Sequence, residues 1–435
     1  MIIIINDIFT WGDKMKINQY LDIHIRHLMI LLKWIVLGIT CGILVGIIAA
    51  LFAYSLNLVT AIRMAHSYIV FGLPIAGLII VALYHFCGKE NNKGTNLIIV
   101  SIRSDEKIPV VMAPLIFIST LLTHLFGGSA GREGAALQLG GSLGQNIARA
   151  LKMDSTDCKI MTMCSMSAAF SALFGTPLTA TIFSMEVISV GIMHYGALVP
   201  CAISSIVAGL VAQQFGIAKE FFIIESLPAI DIVNMLRVAF LSILCAYIGS
   251  FFCSFLHYSS DLFSKLFKNE YVRILIGGSI IVILTLLFGT DYNGAGMSVI
   301  KAAIEESRVH PEAFLLKALF TAITLGCGYK GGEIVPSFFI GACFGGWIAP
   351  FLGLSPSFGA AIGLMVVFDS VTNCPVTSLF LCFELFGFTA VPLFLIADAI
   401  GYMLSGYQGL YSEQKIMYSK FNFGFIDAHT NKTAD

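Results

Sequence analysis

The sequence predicts an all-α integral membrane protein, and three observations carry that prediction. The 435 residues are 57% hydrophobic and only 12% charged, against about 25% charged in soluble domains. The apolar residues form long runs near 28–60, 67–87, 109–126, 134–151, 160–173, 176–193, 196–215, 233–266, 272–289, 312–327, 335–353, 357–369, 374–389 and 390–406. Several match the roughly 20 residues of a tilted helical span, and their length excludes a barrel of short alternating strands. Finally, glycine and proline interrupt the shorter runs. At membrane depth, non-helical backbone must be buried in protein or line a wet cavity, so broken helices point to transport.

The N-terminal MIIIINDIFTWGDKMK has no basic leader and no small-residue cleavage site, so it reads as a cytoplasmic segment over 1–27 and not as a secretory signal, with Met15 as a second candidate start. A first membrane repeat is expected over 28–222 and a second over 223–415, because the chain resembles itself at one offset. NKGTNLIIV at 92–100 matches YNGAGMSVI at 292–300, pairing Gly94 with Gly294 (294 − 94 = 200). Gly140 and Gly144 match Gly341 and Gly345 (a shift of 201), and TPLTATIFSME matches CPVTSLFLCFE, pairing Pro177 with Pro375, Thr179 with Thr377 and Glu186 with Glu384 (a shift of 198). AKEFFIIESLPAID breaks the apolar pattern between the halves, and 416–435 reads as a tail. Duplication alone leaves open whether the halves are parallel or inverted.

Each half offers a glycine break before a buried helix: Gly94 and Gly131 to Gly134 in the first, Gly294 and Gly331 with Gly332 in the second. Helix N-termini expose unpaired N–H groups and about half a positive charge, so converging ends would hold an anion while still letting it leave. Within GGSAGREGAALQ, Glu133 would compete with a substrate anion for those N–H groups when ionised and would release them when protonated. Burial and helix-end N–H groups act on its proton affinity in opposite senses, which leaves it poised to titrate. One residue would then be both gate and proton carrier. The alternative is that Glu133 only caps its helix and pairs with Arg132.

These stretches resemble the CLC family of anion channels and proton-coupled anion antiporters. GSAGREGAALQ is similar to the family's GREGP, KGGEIVP to GGIFAP, AAFSALFGTPLTATIFSMEV to AAFNAPLAGILFxxEE, and GLYSEQ to the last-helix tyrosine segment, in family order over about 30–415. The resemblance implies an inverted repeat of about eighteen tilted and broken helices, a homodimer with one pathway per subunit, and a bacterial plasma (inner) membrane location. It assigns the anion site to Thr95, Gly131, Arg132, Gly134, Ile334, Val335 and Tyr411. Thr95 stands where the family's GSGIP has serine, Ala135 replaces proline, Glu333 enters beside the ion path, and Val187 replaces the family's internal proton acid. Together these changes resemble the fluoride-selective branch, and the small, strongly hydrated fluoride ion would need several close N–H and O–H donors. The implied function is fluoride export in exchange for protons, with chloride/proton exchange or a passive anion channel as alternatives. Glu333 would serve the proton or the anion, or act as a structural acid. Glu186 and Glu384, being symmetric, read as structural.

Other classes are disfavoured. The net charge of -1 gives no footprint for nucleic acid. The eleven cysteines sit singly in or beside apolar runs and read as packing residues; the nine histidines show no metal spacing, and His124 reads as a helix-end residue. No cofactor or metal is expected. GSAGREG follows a helix instead of a strand and lacks a Walker lysine, and no nucleophile and base pair suggests a membrane-embedded enzyme. The expected partners are fluoride or chloride, protons, lipid and a second copy of the chain. No regulatory domain is expected after Tyr411.

Overall fold

The computed structural model describes residues 2–89, 94–104 and 106–432, with side chains from 19 onward. Met15, Asn92 and Lys93, singled out above, lie outside the described side chains. Among the described residues there are sixteen α-helices and three short 3₁₀ helices, close to the number the resemblance implies.

In chain order the first eight helices are α1 (Ile2–Ala65), α2 (Leu73–Phe86), α3 (Thr95–Arg103), α4 (Met112–Leu125), α5 (Glu133–Ala150), α6 (Ser155–Phe174), α7 (Pro177–Glu186) and α8 (Leu198–Gln214). The next eight repeat the series: α9 (Ile232–Leu266), α10 (Glu270–Phe288), α11 (Met297–Glu305), α12 (Ala313–Gly326), α13 (Ile334–Ile348), α14 (Pro356–Thr372), α15 (Pro375–Phe386) and α16 (Val391–Leu404). The expected boundary at 222/223 falls in the coil between α8 and α9, whereas 27/28 falls inside α1. Among the described residues six helical stretches are long and apolar enough to cross a membrane, and five apolar helices of 10–17 residues are shorter than a full span.

The packing repeats as well. In the first half α5 lies on α6, and α1 and α6 on α8; in the second, α13 lies on α14, and α9 and α14 on α16. Glycine makes the first of these contacts possible. A Cβ on Gly341 or Gly345 would collide with the carbonyl oxygen of Gly363 or Gly359, and one on Gly140 or Gly144 with backbone and side-chain atoms of α6. Local signals set the breaks: Asp154 caps α6 through the Asp157 N–H, Gly175 (φ 68°) ends it, and Pro177 and Pro375 start α7 and α15 where a missing N–H costs nothing.

Across the dyad α2 meets α10, α7 meets α15 and α5 meets α13. Glu384 accepts from the N–H groups of Leu178 (3.1 Å) and Thr179 (2.8 Å) and from Thr179 Oγ1 (2.7 Å). Glu186 accepts from Val376 (3.1 Å), Thr377 N–H (2.8 Å) and Thr377 Oγ1 (2.6 Å). Each acid thus caps the opposite repeat's helix, the structural use that their symmetry suggested.

One element departs from the helical expectation. The apolar run 176–193 is not one helix: α7 stops at Glu186 and is followed by β1 (Ser189–Val190). β1 pairs in parallel with β2 (Lys415–Tyr418), which pairs antiparallel with β3 (Phe425–His429). The expected tail is therefore part of the fold, and its boundary at 415/416 falls inside β2. Tertiary pairing decides this element, since two residues of strand leave no periodicity to read.

Candidate anion and proton site

The site is built where two helix N-termini meet. Gly131 N–H donates to Gly332 O and Gly332 N–H to Gly131 O, both at 2.7 Å, so the loops before α5 and α13 are joined as a single antiparallel bridge. The two helices leave this bridge head to head, the arrangement an inverted repeat requires. There is no room for side chains at the junction. A Cβ on Gly332 would stand 2.6 Å from the Gly134 nitrogen, and one on Gly131 would stand 2.6 Å from Glu133 Oε2 and 3.0 Å from Pro336 Cδ.

Glu133 is fully buried. Its Oε2 turns back to accept from the Arg132 N–H at 2.9 Å, and the carboxylate also faces the Val335 N–H at the start of α13. Oε1 has no hydrogen-bond partner and lies 3.6 Å from Arg132 Nε. The carboxylate thus occupies the ground between two helix ends, where an anion would sit. The Arg132 guanidinium turns the other way, to Glu220 (3.1 Å) and Asn57 (3.3 Å), on the wall of a cavity of about 350 Å³ that Arg63 and His124 also line. His124 is in the last turn of α4, as its sequence context suggested, with Nδ1 against Thr120 O at 2.9 Å.

Glu333 is the residue before α13, and its Oε2 is buried without a hydrogen-bond partner. It points across to the other repeat: a Cβ on Gly134 would stand 3.1 Å from Glu333 Oε2 and 3.4 Å from Thr95 Oγ1. Thr95 is the first residue of α3, entered through Gly94 at φ 60°, and the matching Gly294 has φ 61°, conformations that favour glycine. Tyr411 is 1% exposed and its hydroxyl has no partner. Its segment is tied to α3 by the Glu413 N–H bonding Asn96 Oδ1 at 3.1 Å. Ile334 and Val335, both 0% exposed, form the first turn of α13. Thr95, Gly131, Glu133, Gly134, Glu333, Val335 and Tyr411 are therefore gathered, while Arg132 contributes its N–H here and divides its guanidinium between an ion pair with Glu133 through Nε and the cavity wall at Glu220 and Asn57.

Sequence reasoning quoted Gln138 without giving it a place. It lies on the buried face of α5, donates to Thr95 Oγ1 at 3.2 Å, and keeps an unpartnered Oε1. Its i+4 spacing from Gly134 was the available signal. No group of three or more histidine, cysteine, aspartate or glutamate side chains suited to a metal occurs among the described residues. Every cysteine described is a free thiol, and most are buried.

Residues 75–406 match the family model described as voltage gated chloride channel. The chain belongs to that family. Members of the CLC family are transporters or channels, not enzymes, and with its long apolar helices this chain is an integral membrane protein. A chloride/fluoride channel protein of Pseudomonas syringae is 34% identical over 396 residues, 89% of this chain and 87% of its own length. The crystal structure of a CLC-type fluoride/proton antiporter superposes with a TM-score of 0.86 at 30% identity, covering 89% of this chain and 98% of that one. An H⁺/Cl⁻ exchange transporter of Vibrio cholerae is 26% identical over 331 residues, 69% of this chain and 70% of its own.

Proposed function

We propose that this CLC protein exports fluoride in exchange for protons across a bacterial plasma membrane. It would work as a homodimer with one pathway per subunit, formed from two repeats that meet near 222/223, with the C-terminal strands β2 and β3 packed onto the first repeat through β1. The observation that carries the reading is the pair of incompletely bonded carboxylates at one junction of helix N-termini, the fully buried Glu133 and the half-buried Glu333 with its enclosed Oε2. A helix-end site binds an anion, and an ionised Glu133 fills it; protonation removes the charge that holds Glu133 there and frees the N–H groups for fluoride. Thr95 and Tyr411 supply hydroxyl donors to a small, strongly hydrated ion, and the second acid, Glu333, carries the proton or shapes the fluoride site. The 34% identical relative named as a chloride/fluoride channel and the 30% identical fluoride/proton antiporter both support the anion.

The test is efflux from proteoliposomes loaded in parallel with fluoride or chloride, with the external pH recorded. Fluoride leaving much faster than chloride, and driving proton uptake, is the expected result. Equal rates would return the reading to a general anion/proton antiporter. A passive channel, favoured by the name of the Pseudomonas relative, would release anion with no proton movement.

A further inference from the structure

At the end of α7 the Glu186 carboxylate is taken up by α15 and the next residue, Val187, 1% exposed, has no carboxyl, yet two other acids are buried in the same half of the molecule. Asp369, in the last turn of α14, is 0% exposed and neither carboxylate oxygen has a hydrogen-bond partner. Asp398, on α16, is 4% exposed with Oδ1 unpartnered. The two helices are in close contact here. Gly401, one turn after Asp398 on the same face, approaches so near that a Cβ there would stand 3.1 Å from Asp369 Oδ2, and Ser370 Oγ donates to Gly401 O at 3.4 Å.

The surrounding groups do not satisfy this pair. Lys420, from the turn between β2 and β3, directs its ammonium to neutral acceptors: Asn373 Oδ1 (2.5 Å), Ser405 Oγ (2.7 Å) and Tyr402 O (2.9 Å). Glu186 of α7 is occupied with Val376 and Thr377. Cys374 and Tyr402 complete the electrostatic neighbours of Asp369 and Glu186, with Cys382 of α15 toward Asp398 and Cys253 of α9 toward Lys420. Of these acids only Asp369 has the Lys420 ammonium as an electrostatic neighbour, so Asp369 and Asp398 share an apolar interior with no bonded counter-charge, a costly place for fixed negative charge. Acids retained for packing would be bonded as Glu186 and Glu384 are.

The end of α14 that carries Asp369 is also tied to the segment that carries Tyr411. Gln414 Nε2 donates to both Val187 O (3.0 Å) and Thr372 O (2.9 Å), one helical turn from Asp369. Leu410 N–H bonds Val371 O at 2.8 Å, which sets Tyr411 beside the same helix end. We propose that Asp369 and Asp398 form a proton-carrying pair between α14 and α16 that supplies the inner stage of proton delivery toward Glu133. The inference rests on the proton-coupled reading above. Each step moves one proton from a carboxyl oxygen to the next acceptor and leaves the carrier unchanged after a turnover.

The experiment uses full-length protein with Asp369→Asn, Asp398→Asn and both, in liposomes with fluoride and proton fluxes recorded together. Calorimetric titration of sodium fluoride and gel filtration are run on the same samples. In the double variant, proton uptake is expected to fall at least about tenfold, with fluoride affinity and elution volume at wild-type values. Wild-type proton uptake in that variant overturns the inference while leaving the antiport reading intact. Loss accompanied by aggregation or by lost fluoride binding also overturns it, assigning the acids to packing. A wild-type protein that moves fluoride without protons overturns the antiport reading, and this inference with it.

Discussion

Two pairs of acids sit on the same molecular dyad, and they are treated in opposite ways. Where α7 meets α15, Glu186 and Glu384 each accept three hydrogen bonds from the other repeat, so the two sites are interchangeable. Where α5 meets α13, the scaffold is equally symmetric, bridged by Gly131 and Gly332, but the chemistry is not. The residue before α5 is Arg132, turned outward; the residue before α13 is Glu333, turned inward; and Glu133 has no acidic counterpart in α13. The difference teaches that bonding, more than burial, separates the two kinds of acid: one pair is consumed in holding helices, the other keeps oxygens open for an anion-and-proton role of the kind proposed.

Variants can break that comparison. The largest effect is expected from Glu133→Gln, which keeps the shape of the side chain and removes its ability to ionise; proton uptake driven by fluoride should drop by about 100-fold or more. Retained proton pumping would remove Glu133 from the gate. Next comes Glu333→Gln, for which proton-coupled fluoride efflux should fall by at least about tenfold while the gel-filtration elution volume stays at the wild-type value. Near wild-type transport would make Glu333 a structural acid despite its unpartnered oxygen. A smaller loss is expected from Thr95→Val, which removes one hydroxyl donor and leaves Gln138 facing a methyl group; fluoride affinity should weaken by about tenfold, the equivalent of one hydrogen bond near 1.4 kcal/mol. The smallest transport effect belongs to the bonded pair. Glu384→Gln should cost about 2 kcal/mol of stability, read as earlier thermal unfolding in detergent, with the folded fraction transporting at close to the normal rate. If it abolishes coupling instead, the contrast between the two acid pairs fails.

Much of this arrangement was legible in the residues. The shifts of 198 to 201 between matching motifs follow the real pairing of α3 with α11, α5 with α13 and α7 with α15, because duplicated helices keep their glycine breaks and their caps. Glu133, Glu333, Thr95 and Tyr411 were each marked by a polar group set against a glycine hinge or an apolar run. What was hidden depends on distance along the chain. Nothing in Ser189–Val190 announces a strand whose partner begins at Lys415, and nothing in VFDSVT or LIADAI says that Asp369 and Asp398 meet across α14 and α16. Side-chain direction was equally unreadable: Arg132 and Glu133 are neighbours in sequence, yet one faces the outer cavity and the other the helix junction.

The reciprocal bonds between Gly131 and Gly332 have a mechanical consequence. Rocking one repeat against the other would break both at a buried junction, and would also tear Glu186 and Glu384 from their caps. Gating by a single carboxylate swinging beside a fixed junction displaces almost no volume. Turnover by such a device should respond weakly to hydrostatic pressure and to the thickness of the surrounding lipid, and the two subunits of a dimer could cycle out of step without straining each other.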